Sequence, residues 1–377
     1  MSLHGRWSAL LDRLRSEGRV RELSLPRGID FSSNDYLGYG ASSASSGTDS
    51  ANASLRSGMA SRLLRGHQAI WEEVESALAR WHGAEAALVM TSGYAANEGL
   101  LSTAIEPHDW VASDAFNHAS IIDGLRLAGA ERFVYRHLDL NHLEAGLQAA
   151  MKTSPGPRQR FVVTESLFGM DGDTAPLDEL VRLAERYGAW VIVDEAHSTG
   201  CFGREGAGVI DAAGLRARIL ASVHTGGKAL GVAGAYICGS ALLKNLLINR
   251  CRHFMFTTAL PGAVGAWWLD TLRRVQADHA GRQSLHEAAA IFRSELARHG
   301  IPALGSHYIV PVVRGEDRRA VQAANRLQQE GWDIRAIRPP SVPPGSARLR
   351  ISIHADHPQV TLAAAAAAVA EAIKDSN

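Results

Sequence analysis

The sequence lacks any surplus of charge. Lysine and arginine total 39, aspartate and glutamate total 39, and the formal net charge is zero. Nothing in that balance calls for nucleic acid or an anionic membrane as a partner. Cysteine is scarce: Cys201, Cys238 and Cys251 fall in no metal-like spacing and read as reduced thiols of a cytosolic protein. No apolar run has the length of a membrane span, and the alanine-rich stretch from Leu362 to Ala370 is too short for one. The opening MSLHGRWSALLDRLRSEGR has no apolar core of a signal peptide. The 16 histidines contain no His-Glu-x-x-His, which leaves metal-assisted hydrolysis without support. Gly227-Lys228 has no upstream glycine of a phosphate-binding P-loop, and Gly203 to Gly208 has the wrong spacing for a dinucleotide turn. No internal repeat is visible.

What is present is a chain of 377 residues, 46% hydrophobic and 21% charged, which is the profile of a globular enzyme with one large and one smaller domain. Helical and strand patterns alternate through the middle, which predicts an α/β fold with a mostly parallel central sheet between helices. Strands are expected at Ala86 to Met90 and near Trp110, Arg132, Phe161, Ala189, Ile219 and Ala235. An amphipathic helix is expected over residues 1 to about 22, and a small polar loop over 41–54. After Pro261-Gly262 the rhythm changes to a smaller α+β arrangement. The expected division is 1–50 for an N-terminal helix and opening segment, 51–260 for the large domain, and 261–377 for a connecting helix and C-terminal domain.

The stretch from Ala189 to Lys228 organises the rest. Trp190 to Val193 is an unbroken apolar run, the pattern of a strand buried on both faces. Asp194 and Glu195 follow at once, then His197. Ligands of open α/β sheets bind beyond the carboxyl ends of the strands, so Asp194 is expected at a crevice. Lys228 follows Thr225-Gly226-Gly227, where backbone can approach a ligand closely. Asp194 alone is equally a helix-capping acid. An acid, a histidine and a lysine around one crevice together suggest pyridoxal phosphate: its aldehyde needs an amine, and its ring nitrogen needs a buried carboxylate.

The wording of this stretch, DEAHSTG followed by T-x-x-K, resembles the fold-type-I pyridoxal-phosphate enzymes and, within them, the α-oxoamine synthases. FSSNDYLG at Phe31 to Gly38 resembles the same family, and the likeness runs from about Phe31 to Ile353. The resemblance implies that Lys228 carries the cofactor, Asp194 pairs with the pyridinium nitrogen and His197 bonds the ring oxygen. It implies that His118, in Asn117-His118-Ala119-Ser120, stacks on the ring, where it could donate a proton to a forming oxyanion.

Ser92, Gly93 and Tyr94 follow a strand and open a helix, where backbone N–H groups attract a phosphate; the same pattern is also an ordinary helix cap. Thr225 resembles the family's phosphate-side hydroxyl. Thr257 and Thr258 resemble a segment that reaches a phosphate across a homodimer interface, and equally fit a helix N-cap. The approach Arg338-Pro339-Pro340-Ser341 to Arg350 resembles the branch of the family that joins L-alanine to a pimeloyl thioester, on coenzyme A or acyl carrier protein. There Arg350 clamps a carboxylate, Arg348 supports it, and Ser341 and Arg21 contact substrate. Glycine or serine with another acyl-CoA, or a cofactor-binding protein without catalysis, are the rival readings. Three departures from the family pattern stand out: Gly169 where serine is usual, a glycine-poor segment Ser57 to Arg62, and Trp71 in place of a histidine.

Overall fold

The computed structural model describes residues 2–21, 23, 25–40, 57–153 and 158–374. The polar stretch 41–54 lies outside the described residues. The chain divides into two compact units, one of Leu37–Gly169 with Thr174–Arg282, the other of Met1–Tyr36, Met170–Asp173 and Gln283–Asn377.

The larger unit is built on a seven-stranded sheet. Its order is Ala86–Met90, Ala235–Gly239, Ala221–Thr225, Trp190–Asp194, Arg160–Glu165, Trp110–Asp114, Glu131–Tyr135. Neighbours run parallel except Ala235–Gly239, which is antiparallel to the strands on both sides. Val191, Ile192 and Val193 are buried, as the unbroken apolar run requires. Helices cover both faces. Leu100, Leu101, Ile121 and Leu125 pack on one face with Val163 and Val223, while Leu143, Leu147, Leu180 and Val181 pack on the other with Val162 and Val193. At about 25 cal/mol per Å² of apolar surface removed from water, these two layers are the main source of the unit's stability.

The expected strand at Ile219 to Ser222 lies two residues later, at Ala221–Thr225, because the short turn Arg216–Arg218 takes up the chain before it. Thr225 therefore ends a strand instead of following one.

The smaller unit contains a three-stranded antiparallel sheet in the order Arg335–Ile337, Ala347–Ser352, Ile309–Gly315, with helices Asp317–Gln329 and Gln359–Lys374. The first helix spans Leu3–Ser16, shorter than its periodicity predicts. It stops at Glu17, and Gly18 adopts the left-handed backbone (φ +67°) that ends helices at least cost. No helix among the described residues is long and apolar enough to cross a membrane.

Candidate active site

The site forms in the larger unit, beyond the carboxyl ends of the parallel strands. Asp194 closes the strand Trp190–Asp194 and is buried. One carboxylate oxygen accepts from the backbone N–H of Ala196 at 2.8 Å, the other from the carboxamide of Asn97 at 2.7 Å. Asn97 is buried in the helix Gly93–Ala104, and its Nδ2 also donates to Ser120 Oγ at 3.0 Å. Ser120 Oγ stands 2.7 Å from His118 Nδ1. A hydrogen-bonded chain thus runs from Asp194 through Asn97 and Ser120 to His118.

That chain assigns the His118 tautomer. The backbone N–H of Ser120 points at Nδ1 from 3.2 Å, so Nδ1 is an acceptor and the proton of the neutral ring resides on Nε2. Burial holds the imidazole below its ordinary pKa; the Asp194 charge works against this and the Lys228 charge with it. A neutral ring with an N–H at its outer nitrogen is a hydrogen-bond donor that adds no charge.

Glu165 ends the neighbouring strand in register with Asp194. Its Oε1 accepts from the His118 backbone N–H at 2.7 Å. Burial pushes its carboxyl up to about 8, the nearby Asp194 charge adds to the rise, and Lys228 opposes it. On the other side Lys228 Nζ lies 2.8 Å from His197 Nε2, and His197 is buried. Asp194 and Lys228 both act on His118 and Glu165, so the four groups share one crevice.

Ser92 caps the helix Gly93–Ala104, its Oγ accepting from the Ala95 N–H at 3.1 Å. A Cβ on Gly93 would come within 3.6 Å of Thr225 Oγ1. The helix start and the Thr225 hydroxyl therefore lie beside each other, an arrangement suited to a phosphate. The Tyr94 ring stands edge-on to His118 with centroids 6.0 Å apart, and its hydroxyl donates to Asp123. Thr257 and Thr258 lie between the helix Arg252–Met255 and Pro261. Pro261 holds the N-cap position of Gly262–Ala277, so neither threonine caps that helix.

These residues fit pyridoxal phosphate. They supply an amine, a buried carboxylate for a ring nitrogen, a flat neutral imidazole and a glycine-lined helix start beside a hydroxyl. A separate cavity of about 820 Å³ in the same unit, lined among others by His82, Arg216 and Cys238, contains none of them.

The other expected residues belong to the smaller unit. Arg350 is buried and donates to Ser352 Oγ at 2.9 Å, Asn34 Oδ1 at 2.9 Å and Tyr36 OH at 3.4 Å. Arg348 is buried too, in an ion pair with Asp171. Ser341 is exposed, and its N–H donates to the Arg338 carbonyl at 3.1 Å. Arg21 is exposed, and its charge, after burial, helps hold Arg338 below its ordinary pKa. Asn97, Ser120 and Glu165 are members of the site that pattern reading did not single out, although Ser120 falls inside the marked stretch Asn117 to Ser120.

The family described as aminotransferase class I and II matches residues 26–369. A protein of Chlorobaculum parvum named 8-amino-7-oxononanoate synthase is 44% identical, over 92% of this chain and 93% of its own. One of the same name from Anaeromyxobacter dehalogenans is 42% identical, over 92% of this chain and 87% of its own. Among solved structures, a serine palmitoyltransferase from S. paucimobilis with a bound PLP–myriocin aldimine aligns at a TM-score of 0.88 and 28% identity, covering 100% of this chain and 99% of that one. An 8-amino-7-oxononanoate synthase from Francisella tularensis aligns at 0.75 and 25% identity, covering 92% and 98%.

Proposed function

The chain belongs to the aminotransferase class I and II family, and we propose that its reaction is the decarboxylative condensation of L-alanine with a pimeloyl thioester. It is an acyltransferase dependent on pyridoxal phosphate, of the α-oxoamine synthase kind. The products of the proposed reaction are 8-amino-7-oxononanoate, carbon dioxide and the free thiol carrier, as a step of biotin formation in the cytoplasm. The observation that carries the reading is the set Lys228–His197 and Asp194–Asn97–Ser120–His118 around one crevice.

When bound, pyridoxal phosphate supplies an electron sink for the pair left on the alanine α-carbon. Lys228 would hold the bound cofactor through its amine, and the same amine would take the α-proton and later return one. Asp194 keeps the ring nitrogen protonated, and its two hydrogen-bond donors hold it in line. His118 would stack on the ring and would offer Nε2–H to the oxygen of the attacked thioester carbonyl. His197 bonds the ring oxygen. Ser92, Gly93, Tyr94 and Thr225 hold the phosphate, with Thr257 and Thr258 reaching it from the other subunit of a homodimer. Arg350 clamps the carboxylate of the amino acid, and Arg21 and Ser341 contact the acyl substrate.

Purified protein with L-alanine and pimeloyl-CoA, read by product mass, tests the reading. The expected product is 8-amino-7-oxononanoate, and condensation with glycine alone would overturn the alanine assignment. One finding favours a second reading: the likeness to serine palmitoyltransferase is high across the whole chain. Serine with a long-chain acyl-CoA is therefore the second substrate pair to run in the same assay.

A further inference from the structure

Gly169 follows the buried pair Leu167 and Phe168 and has no positive φ, so its backbone conformation is open to any residue. Space is what sets it apart. A Cβ built at this position would lie 2.2 Å from His197 Nε2 and 2.8 Å from both Cδ2 and Cε1. Ordinary contact between such atoms is about 3.5–4.0 Å. The imidazole therefore occupies the volume that any side chain at 169 would need. From that place Nε2 reaches Lys228 Nζ at 2.8 Å.

We propose that Gly169 is a positioning residue for His197: by carrying no side chain, it admits the imidazole to the one place from which Nε2 meets the Lys228 amine. The surroundings leave the clash little other relief. The backbone on one side is held by the Leu167–Thr174 bridge and by a hydrogen bond from Gly169 to the Glu165 carboxyl. On the other, the turn bearing His197 is held by the Ser198 and Thr199 N–H groups, both donating to the Glu195 carbonyl, at 3.0 and 2.9 Å. With both backbones fixed, a methyl group at 169 turns the ring away from Lys228.

The inference rests on the reading that Lys228 carries the cofactor, and the test separates the two. Holoenzyme is prepared as wild type, Gly169→Ala, His197→Ala and the double variant. The absorbance of the bound cofactor is titrated with pH in the absence of substrate, and Tm is measured. Gly169→Ala should move the midpoint of the absorbance titration in the direction that His197→Ala does, and lower Tm. In the His197→Ala background the same glycine change should move neither, since the ring it displaces is gone. Turnover of Gly169→Ala should fall roughly 10- to 100-fold in kcat with a smaller change in KM, the scale for a site group displaced by about 1 Å. A Gly169→Ala titration that superimposes on wild type, or a shift undiminished in the double variant, overturns the proposal. If wild type itself lacks a lysine-linked cofactor band, the reading beneath falls with it. If Gly169→Ala cannot be purified, recovery of folded protein in the double variant supports the proposal, and its failure to recover overturns it.

Discussion

Glu165 and Asp194 end adjacent parallel strands in register, so two buried carboxyl groups share one wall of the crevice. The fold accommodates them by holding Glu165 as a neutral acid over most of the working range. Burial is the larger cause of its raised pKa of about 8, and the Asp194 charge is the second. A carboxyl with pKa above its unfolded value of 4.5 stabilises the fold below that value, and the contribution is lost as pH rises through about 8. Each pKa unit is worth about 1.4 kcal/mol. Glu195, raised to about 7 chiefly by burial, acts in the same sense. Replacing Glu165 by glutamine removes one of these ionisations. Thermal unfolding at about pH 5 and about pH 9 should show Glu165→Gln gaining Tm relative to wild type at the alkaline end. Parallel curves across that range would show that Glu165 ionises as freely in the fold as in water.

The chain from Asp194 to His118 makes a second prediction. Ser120 is fully buried, and its hydroxyl and N–H both meet His118 Nδ1. Those bonds favour the neutral ring with its proton on Nε2. Ser120→Ala deletes the hydroxyl and leaves an Asn97 N–H without its acceptor, a loss of about 1–3 kcal/mol for a buried group. The neutral form of His118 is then less favoured, so the acid limb of kcat/KM should move to higher pH. kcat should fall while KM for alanine changes little. An unmoved acid limb would show that the hydroxyl does not act on His118.

The sheet was legible because its strands are short apolar runs, such as Val191 to Val193, closed by polar residues at the crevice end. Asp194 stood out because it follows such a run directly, whereas Lys228 stood out through the glycines before it and T-x-x-K, and His118 through the wording of Asn117 to Ser120. The antiparallel direction of Ala235–Gly239 was not, since hydrophobic pattern carries no strand direction. Asn97 and Glu165 were hidden differently. Their roles depend on which strand ends and helix starts become neighbours: Asn97 meets an aspartate 97 residues away, and Glu165 meets the His118 backbone 47 residues away. Arg350 finds Asn34 across 316 residues, a pairing that spacing along the sequence could not suggest.

Lys228 gives the plainest test. Lys228→Ala removes the amine 2.8 Å from His197. The cofactor, if bound, is then held by phosphate and ring contacts alone. Its absorbance should be that of free aldehyde instead of a lysine-linked species, and turnover should fall by a factor of about 10⁴ or more, in keeping with loss of both the covalent tether and the general base. A variant with the wild-type band and full turnover would place the amine elsewhere.

The two arginines of Ala347–Ser352 should separate in their effects, although they alternate along one strand. Arg348 is buried against Asp171, and deleting one member of a buried pair strands the other charge, at a cost of about 3–5 kcal/mol. Arg348→Ala should therefore lower the denaturant midpoint strongly, and Asp171→Asn less, since the amide still accepts a hydrogen bond. Arg350 donates to Ser352, Asn34 and Tyr36, which orient the guanidinium. Lysine there keeps the charge and loses the planar fork. Arg350→Lys should leave the denaturant midpoint within about 1 kcal/mol of wild type while raising KM for alanine by a factor of about 10 or more. Were Arg350→Lys instead to cost stability and spare KM, the carboxylate clamp would have to be sought at another cation.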